Sequence, residues 1–190
     1  MPPGSATEPT PDQHEPLPPA DPESAARAIC LRLLALQPRT RAELATALES
    51  RGVPADAADA VLSRFGEVGL IDDTAFADAW VETRHRGRGL GRRALAQELR
   101  RKGVDDEAVT GALTQLDPET EEATAQALVA RRLPASRGLP TPARVRRLVG
   151  MLARKGHPPG LSIRIVRAAL AEEGAVTGGE LDALDAMGEE

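Results

Sequence analysis

The residues with chemistry to offer are three histidines, one cysteine and a large excess of arginine in the middle of the chain. His14, His85 and His157 stand far apart, and none has a Cys, His or carboxylate at metal-ligand spacing, so no metal site is expected. His157 fills a slot that is valine in two related segments, which suggests a half-buried packing role. Cys30 lies beside Ile29 and Leu33 on an apolar helix face, where a small buried hydrophobe is expected rather than a nucleophile. The stretch GRGLGRR (87–93) has neither the preceding strand nor the following Gly-Lys-Ser/Thr of a phosphate-binding loop. No Ser/His/Asp arrangement stands out. These residues point to a binding protein, not an enzyme, with no cofactor.

Two features remain that could recognise a partner. Asp72 and Asp73 are adjacent carboxylates in GLIDDTAFADAWVETR (69–84); a helix cap is the plainer role for them, a grip on a partner's arginine the sharper one. The second feature is basic clustering. Arg84, Arg86, Arg88, Arg92, Arg93, Arg100, Arg101 and Lys102 face Glu98 alone within 84–102. Arg131, Arg132, Arg137, Arg144, Arg146, Arg147, Arg154, Lys155, Arg164 and Arg167 face no acid within 131–167. All of these except Arg86, Arg137, Arg164 and Arg167 are candidate contacts to a partner protein or to nucleic acid. The guanidinium fork suits phosphate and carboxylate alike. With two Phe, one Trp and no Tyr, base-stacking platforms are not expected, so any nucleic-acid contact should be backbone-directed and salt-sensitive.

The formal net charge of −5 conceals this basic body. Residues 1–23 carry five acids and no base, and residues 171–190 carry seven acids and no base, which leaves +7 on the segment between. The acidic ends could therefore fold back on the body. Nothing in the composition suggests a membrane: no apolar run approaches the ~20 residues of a spanning helix, and MPPGSATEPT lacks the charged and apolar regions of a signal peptide. A single cysteine fits a reducing compartment, and the cytoplasm is the expected location.

The elements that must position these groups are helices arranged in a repeat. RAELATALESRGV (41–53), RRALAQELRRKGV (92–104) and VRRLVGMLARKGH (145–157) align through Leu44/Leu95/Leu148, Leu48/Leu99/Leu152 and Gly52/Gly103/Gly156. Leucines four apart share one helix face, and the glycine ends the helix in the left-handed conformation. Thr40 with Glu43 reads as a capping box, and Thr141–Pro142 as a cap followed by a first-turn proline. Each copy is followed by a helical stripe (Ala58, Val61, Leu62, Phe65; Val109, Ala112, Leu113, Leu116; Ile163, Val166, Leu170). Each is preceded by a leader helix lined by Ala26, Ile29, Leu33 and Leu36, by Phe76, Trp80 and Thr83, or by Ala125, Leu128 and Val129. The fold expected is all-α: three tandem three-helix units at 23–67, 68–117 and 118–170, forming an elongated, curved, right-handed array. Disordered acidic tails are expected at 1–22 and 171–190, the second with a short Leu181–Leu184–Met187 stripe.

Gly69-Leu70-Ile71-Asp72-Asp73, followed by Phe76 and Trp80, resembles the central signature of the RecX family. The blocks 89–104 and 38–53 resemble that family's second-unit and first-unit helices. The likeness covers roughly 25–170; His157, where an aromatic residue is more typical, and Pro158–Pro159 depart from the pattern. The resemblance implies a monomer of three-helix repeats that binds filaments of the RecA recombinase on DNA. It also implies modulation, in most cases inhibition, of RecA ATP hydrolysis and strand exchange in recombination, DNA repair and the SOS response. Gly69, Asp72, Asp73, Phe76 and Trp80 would then be signature residues of mainly structural role. The competing reading is a helical protein that binds DNA phosphates, single- or double-stranded, without RecA. A base-reading regulator is disfavoured because the chain has no Asn, and a peptide scaffold because arginine stands where an apolar groove would be needed.

Overall fold

The computed structural model describes residues 21–174, and all expectations for 1–20 and 175–190, including the 181–187 stripe, lie outside them. Among the described residues there are nine α-helices and no strand: α1 Pro22–Leu36, α2 Arg41–Glu49, α3 Ala55–Glu67, α4 Asp73–Arg88, α5 Arg92–Arg101, α6 Asp106–Thr114, α7 Pro118–Arg132, α8 Thr141–Arg154 and α9 Pro159–Glu172. A 3-10 turn, Pro134–Ser136, lies between α7 and α8.

Successive triplets of helices enclose separate apolar cores. Ala26, Cys30, Leu44, Leu48, Val61, Leu62 and Phe65 form the first, Ala77, Val81, Leu95, Leu99, Val109 and Ala112 the second, and Ala125, Val129, Leu148, Leu152, Ile165, Val166 and Leu170 the third. Burying aliphatic side chains this completely contributes about 1.5–3 kcal/mol each for the larger ones, and Phe65 is the one aromatic among the buried residues of the three cores, with Phe76 and Trp80 packed at the edge of the second. Cys30 is wholly buried, and burial pushes its thiol pKa up, which suits a packing role.

Local sequence sets the helix ends. The Thr40 hydroxyl accepts from Glu43 N at 3.1 Å while Thr40 N donates to the Glu43 carboxylate at 3.2 Å, completing the capping box. Asp72, Asp105 and Asp117 each accept from a backbone N–H three residues on. The repeated glycines have φ of 73°, 76° and 82° at Gly52, Gly103 and Gly156. Behind them Val53, Val104 and His157 donate their N–H to Leu48, Leu99 and Leu152, the six-residue closure of a Schellman motif.

Five expectations need correction. Asp21 caps α1 and Pro22 is its first residue, so the first unit begins inside the segment read as a tail. α8 is capped by Pro140, and Thr141 is already helical, because the helix starts a residue early. Leu36 is 75 % exposed, since α1 ends there and its buried face runs through Ala26 and Cys30. α4 buries Ala77, Val81 and His85; Phe76 and Trp80 are only partly buried and Thr83 is exposed, one helical step off the core face. In α9 Val166 and Leu170 are buried as expected, but Ile165 takes the buried place expected of Ile163, which lies at the margin.

The units meet through their middle helices, head to tail. At the first joint the Thr40 hydroxyl donates to Lys102 O at 2.6 Å, which sets the C-terminus of α5 on the N-terminus of α2. At the second, Gly91 N donates to Lys155 O (2.8 Å) and Arg93 N to Gly156 O (3.1 Å), which sets α8 on α5. The negative end of one helix dipole thus meets the positive end of the next. The contact is tight: a Cβ on Gly103 would lie 2.3 Å from Ala42 Cβ, and one on Gly156 would lie 2.2 Å from Ala94 N, whereas one on Gly52 would meet nothing.

Candidate functional site

Each joint is lined by charges that sequence alone placed on an open surface. At the first, Asp73 Oδ1 accepts from Arg41 N at 2.9 Å, so the second signature aspartate ties α4 to the start of α2. Burial raises its carboxyl pKa, offset in part by that hydrogen bond. Lys102 Nζ donates to Glu43 at 2.6 Å and lies 4.4 Å from the Trp80 ring centre. Arg84 covers the same ring at 4.0 Å, and the indole N–H donates to Glu98 at 2.9 Å. Phe76 stacks on Trp80 with ring centres 5.6 Å apart. The signature Gly69–Trp80 therefore organises the first joint. Arg84 and Lys102 act as its cations, not as free partner contacts, because an aromatic face and a carboxylate already hold them.

The second joint contains a buried carboxylate. Glu121, 2 % exposed, accepts from Arg92 N at 3.0 Å and from Arg92 Nε at 2.6 Å. Lys155 Nζ donates to Arg88 O at 2.5 Å, satisfying a carbonyl at the end of α4. His157, 1 % exposed, contacts Gly89 O through Nε2 at 3.2 Å, with Nδ1 3.8 Å from Glu121. It is fully buried rather than half-buried. His85 bridges Leu90 O and the Thr124 hydroxyl at 2.8 and 2.9 Å.

Arg144 is also corrected: it is 4 % exposed, bonded to Ser136 Oγ at 3.0 Å and paired with Glu173, which Arg137 shares. Those two guanidiniums hold the Glu173 carboxyl below its usual pKa range. Glu173 was counted with the acidic tail; it closes the third unit instead. The remaining candidates, Arg88, Arg93, Arg100, Arg101, Arg131, Arg132, Arg146, Arg147 and Arg154, are exposed. Arg100 pairs with Asp106 at 2.8 Å, and the other eight form no ion pair among the described residues. Arg93 and Arg101 on α5 and Arg146, Arg147 and Arg154 on α8 follow one another along the head-to-tail row. Arg131 and Arg132 end α7, about 15 Å of helix beyond Glu121. No group of three potential metal ligands occurs among the described residues, and none of their helices is long and apolar enough to cross a membrane.

Burial pushes the His157 imidazole below its ordinary 6.5, against smaller opposing effects of Gly89 O and Glu121; His85 and Lys155 push the same way as burial. The unfolded chain thus binds a proton that the folded protein excludes. The associated stability is present above about pH 6.5 and is lost as pH falls below it. His157→Val, which installs the residue found in the other two copies, is expected to flatten the decline in melting temperature between about pH 7 and 5. Equal declines in variant and parent would assign that dependence to another group.

Models of two RecX domains match the chain: the first three-helix domain over residues 26–65 and the second over 72–113. The chain is 62 % identical over 160 residues to Regulatory protein RecX of Streptomyces coelicolor, covering 84 % of this chain and 85 % of that one. It is 59 % identical over 156 residues to Regulatory protein RecX of Thermobifida fusca, covering 82 % and 84 %. A crystal structure of regulatory protein RecX superposes with a TM-score of 0.71 at 27 % identity, covering 77 % of this chain and 72 % of the other. RecX from Lactobacillus salivarius gives 0.73 at 21 % identity, covering 78 % and 97 %, a likeness of fold.

Proposed function

The chain belongs to the RecX family, and from that premise we propose that it binds the RecA–DNA filament as a monomer and restrains its ATP hydrolysis and strand exchange. The observation that carries this reading is the row α2–α5–α8, which presents Arg93, Arg101, Arg146, Arg147 and Arg154 without carboxylate partners among the described residues, in a family of recombinase regulators. An elongated row of helical units, curving with a right-handed sense, would lie along a helical filament groove and meet it at several points. The exposed arginines would face phosphates or acidic side chains there, and their field would speed encounter. Restraint of the filament is the reading because a chain spanning several RecA subunits would tie together elements that must move during hydrolysis. No residue is assigned a catalytic role, and the work is done in the cytoplasm, where RecA acts.

The test is co-sedimentation of the purified chain with RecA filaments preassembled on single-stranded DNA, with naked DNA and with DNA-free RecA as separate arms. Enrichment on the filament beyond both arms is expected. Equal retention on naked DNA alone would leave a phosphate-binding protein without a RecA partner.

A further inference from the structure

We propose that the joint between α8 and α5 is a phosphate clasp, in which Arg93 and Arg154 hold one phosphodiester of a nucleic-acid strand with Gln97 as a third donor. This rests on the reading above only in that the arginine face meets an anion. Arg93, Gln97, Arg154, Gly156 and His157 line one open pocket of about 270 Å³ at that joint. His157 closes the floor of that pocket; its Nδ1 is buried, has no hydrogen-bond partner among the described residues and lies 3.8 Å from Glu121.

The internal repeat supplies a control on the same scaffold. In register, Arg93 and Gln97 of the second joint correspond to Ala42 and Thr46 of the first, and Arg154 corresponds to Arg101. The two residues after the cap are Asp105 and Asp106 at the first joint, where Asp106 neutralises Arg100, but Pro158 and Pro159 at the second. Two acids have given way to residues with no charge, and a small pair has given way to an arginine and an amide. No acid is among the residues lining the pocket, and Glu121, next to His157, is held by Arg92.

The N-terminus of α5 cannot be the anion site. Gly91 N, Arg92 N and Arg93 N already donate to Lys155 O, Glu121 and Gly156 O. The ligand must therefore be held by side chains. Two guanidinium forks reaching one pocket from different helices match a tetrahedral phosphate, whereas one fork already satisfies a planar carboxylate.

The experiment is fluorescence anisotropy of a labelled thirty-nucleotide oligothymidylate with the full chain over a salt series. Arg93→Gln/Arg154→Gln is expected to weaken binding about 10-fold at low salt. It should also reduce the slope of log affinity against log salt by about 0.7, the share of one neutralised phosphate on a single strand. Arg51→Gln/Arg64→Gln, which removes equal charge from α2–α3 surfaces, should stay within about twofold of the parent. Inorganic phosphate at matched ionic strength should not displace the strand; displacement from the parent but not from the double variant would keep the clasp and assign it to free phosphate. Gln97→Glu, at an exposed position, should weaken binding about fivefold and decides the matter if the double variant melts abnormally. Unchanged affinity in the folded double variant or in Gln97→Glu, or an equal loss in the charge control, overturns the clasp. A parent chain that binds RecA filaments but no oligonucleotide overturns the clasp and spares the regulatory reading; strand binding without filament binding does the reverse.

Discussion

Gly156→Ala is expected to lower the melting temperature by roughly 10–20 °C, while Gly52→Ala lowers it by only about 2–8 °C, although both glycines end equivalent helices. Both substitutions incur the left-handed strain of about 1–2 kcal/mol, and each kcal/mol shifts the melting point of a chain this size by about 2–4 °C. At Gly52 nothing else opposes the new methyl group. At Gly156 the methyl would sit 2.2 Å from Ala94 N and 2.4 Å from Ala94 Cβ. A backbone atom cannot rotate away, so α8 must withdraw from α5. That exposes or orphans the Gly91–Lys155 and Arg93–Gly156 hydrogen bonds, at about 1–3 kcal/mol for each buried group left unmade. Gly103→Ala should fall between, because it meets a single atom under 3.0 Å, the fixed Cβ of Ala42 at 2.3 Å, where Gly156 meets three atoms of Ala94. Equal melting shifts at all three glycines would show that the joints tolerate separation and that the units dock loosely.

Arg92→Glu is expected to destabilise the protein by about 3–5 kcal/mol, whereas Arg93→Glu one residue along should stay within ~0.5 kcal/mol of the parent. Arg92 provides the only ion pair of the buried Glu121 among the described residues apart from the His157 contact, and its removal strands a carboxylate that is 2 % exposed. Placing a second carboxylate beside it adds repulsion. Arg93 is exposed and pairs with no acid among the described residues, so its reversal falls in the range of ordinary surface changes. Urea denaturation of the two variants separates the cases; similar midpoints would mean that Glu121 finds another partner. The consequence for function is practical. A charge-reversal set that includes Arg92 or Lys102 would lose binding by loosening a joint, one that includes Arg144 by opening the third unit, and neither loss would say anything about a partner surface.

Much of the fold was legible because its determinants are local. The Thr40–Glu43 box, the Asp72 cap and the Gly–Val or Gly–His endings involve residues within five or six positions of one another, and the structure shows each of them. The arginine roles were illegible for the opposite reason. Lys102 meets Glu43 at a separation of 59 residues, and Arg92 meets Glu121 and Arg144 meets Glu173 at 29. Nothing in a helical charge run reveals which of its members will find a carboxylate on another unit. One signal was available: Glu121 falls four residues before Ala125 on α7, one turn along the same apolar face, where a buried acid demands a cation. The α4 face was misjudged because its two aromatic rings pack at the edge of the core, while the small residues Ala77 and Val81 are the fully buried ones.

The most direct measurement of the central claim is steady-state ATP hydrolysis by RecA on single-stranded DNA, titrated with the parent chain and with Arg93→Glu/Arg101→Glu/Arg147→Glu/Arg154→Glu. These four positions are exposed and form no ion pair among the described residues, so the variant should keep its helicity and melting temperature. Its loss of affinity should exceed the ~1 kcal/mol of a single exposed pair several-fold, because attraction becomes repulsion at four points. The parent is expected to lower the hydrolysis rate in a saturable way, and the folded variant to need at least tenfold more protein for the same effect. Hydrolysis unchanged by the parent at any concentration, or lowered equally by the parent and the folded variant, would contradict the claim.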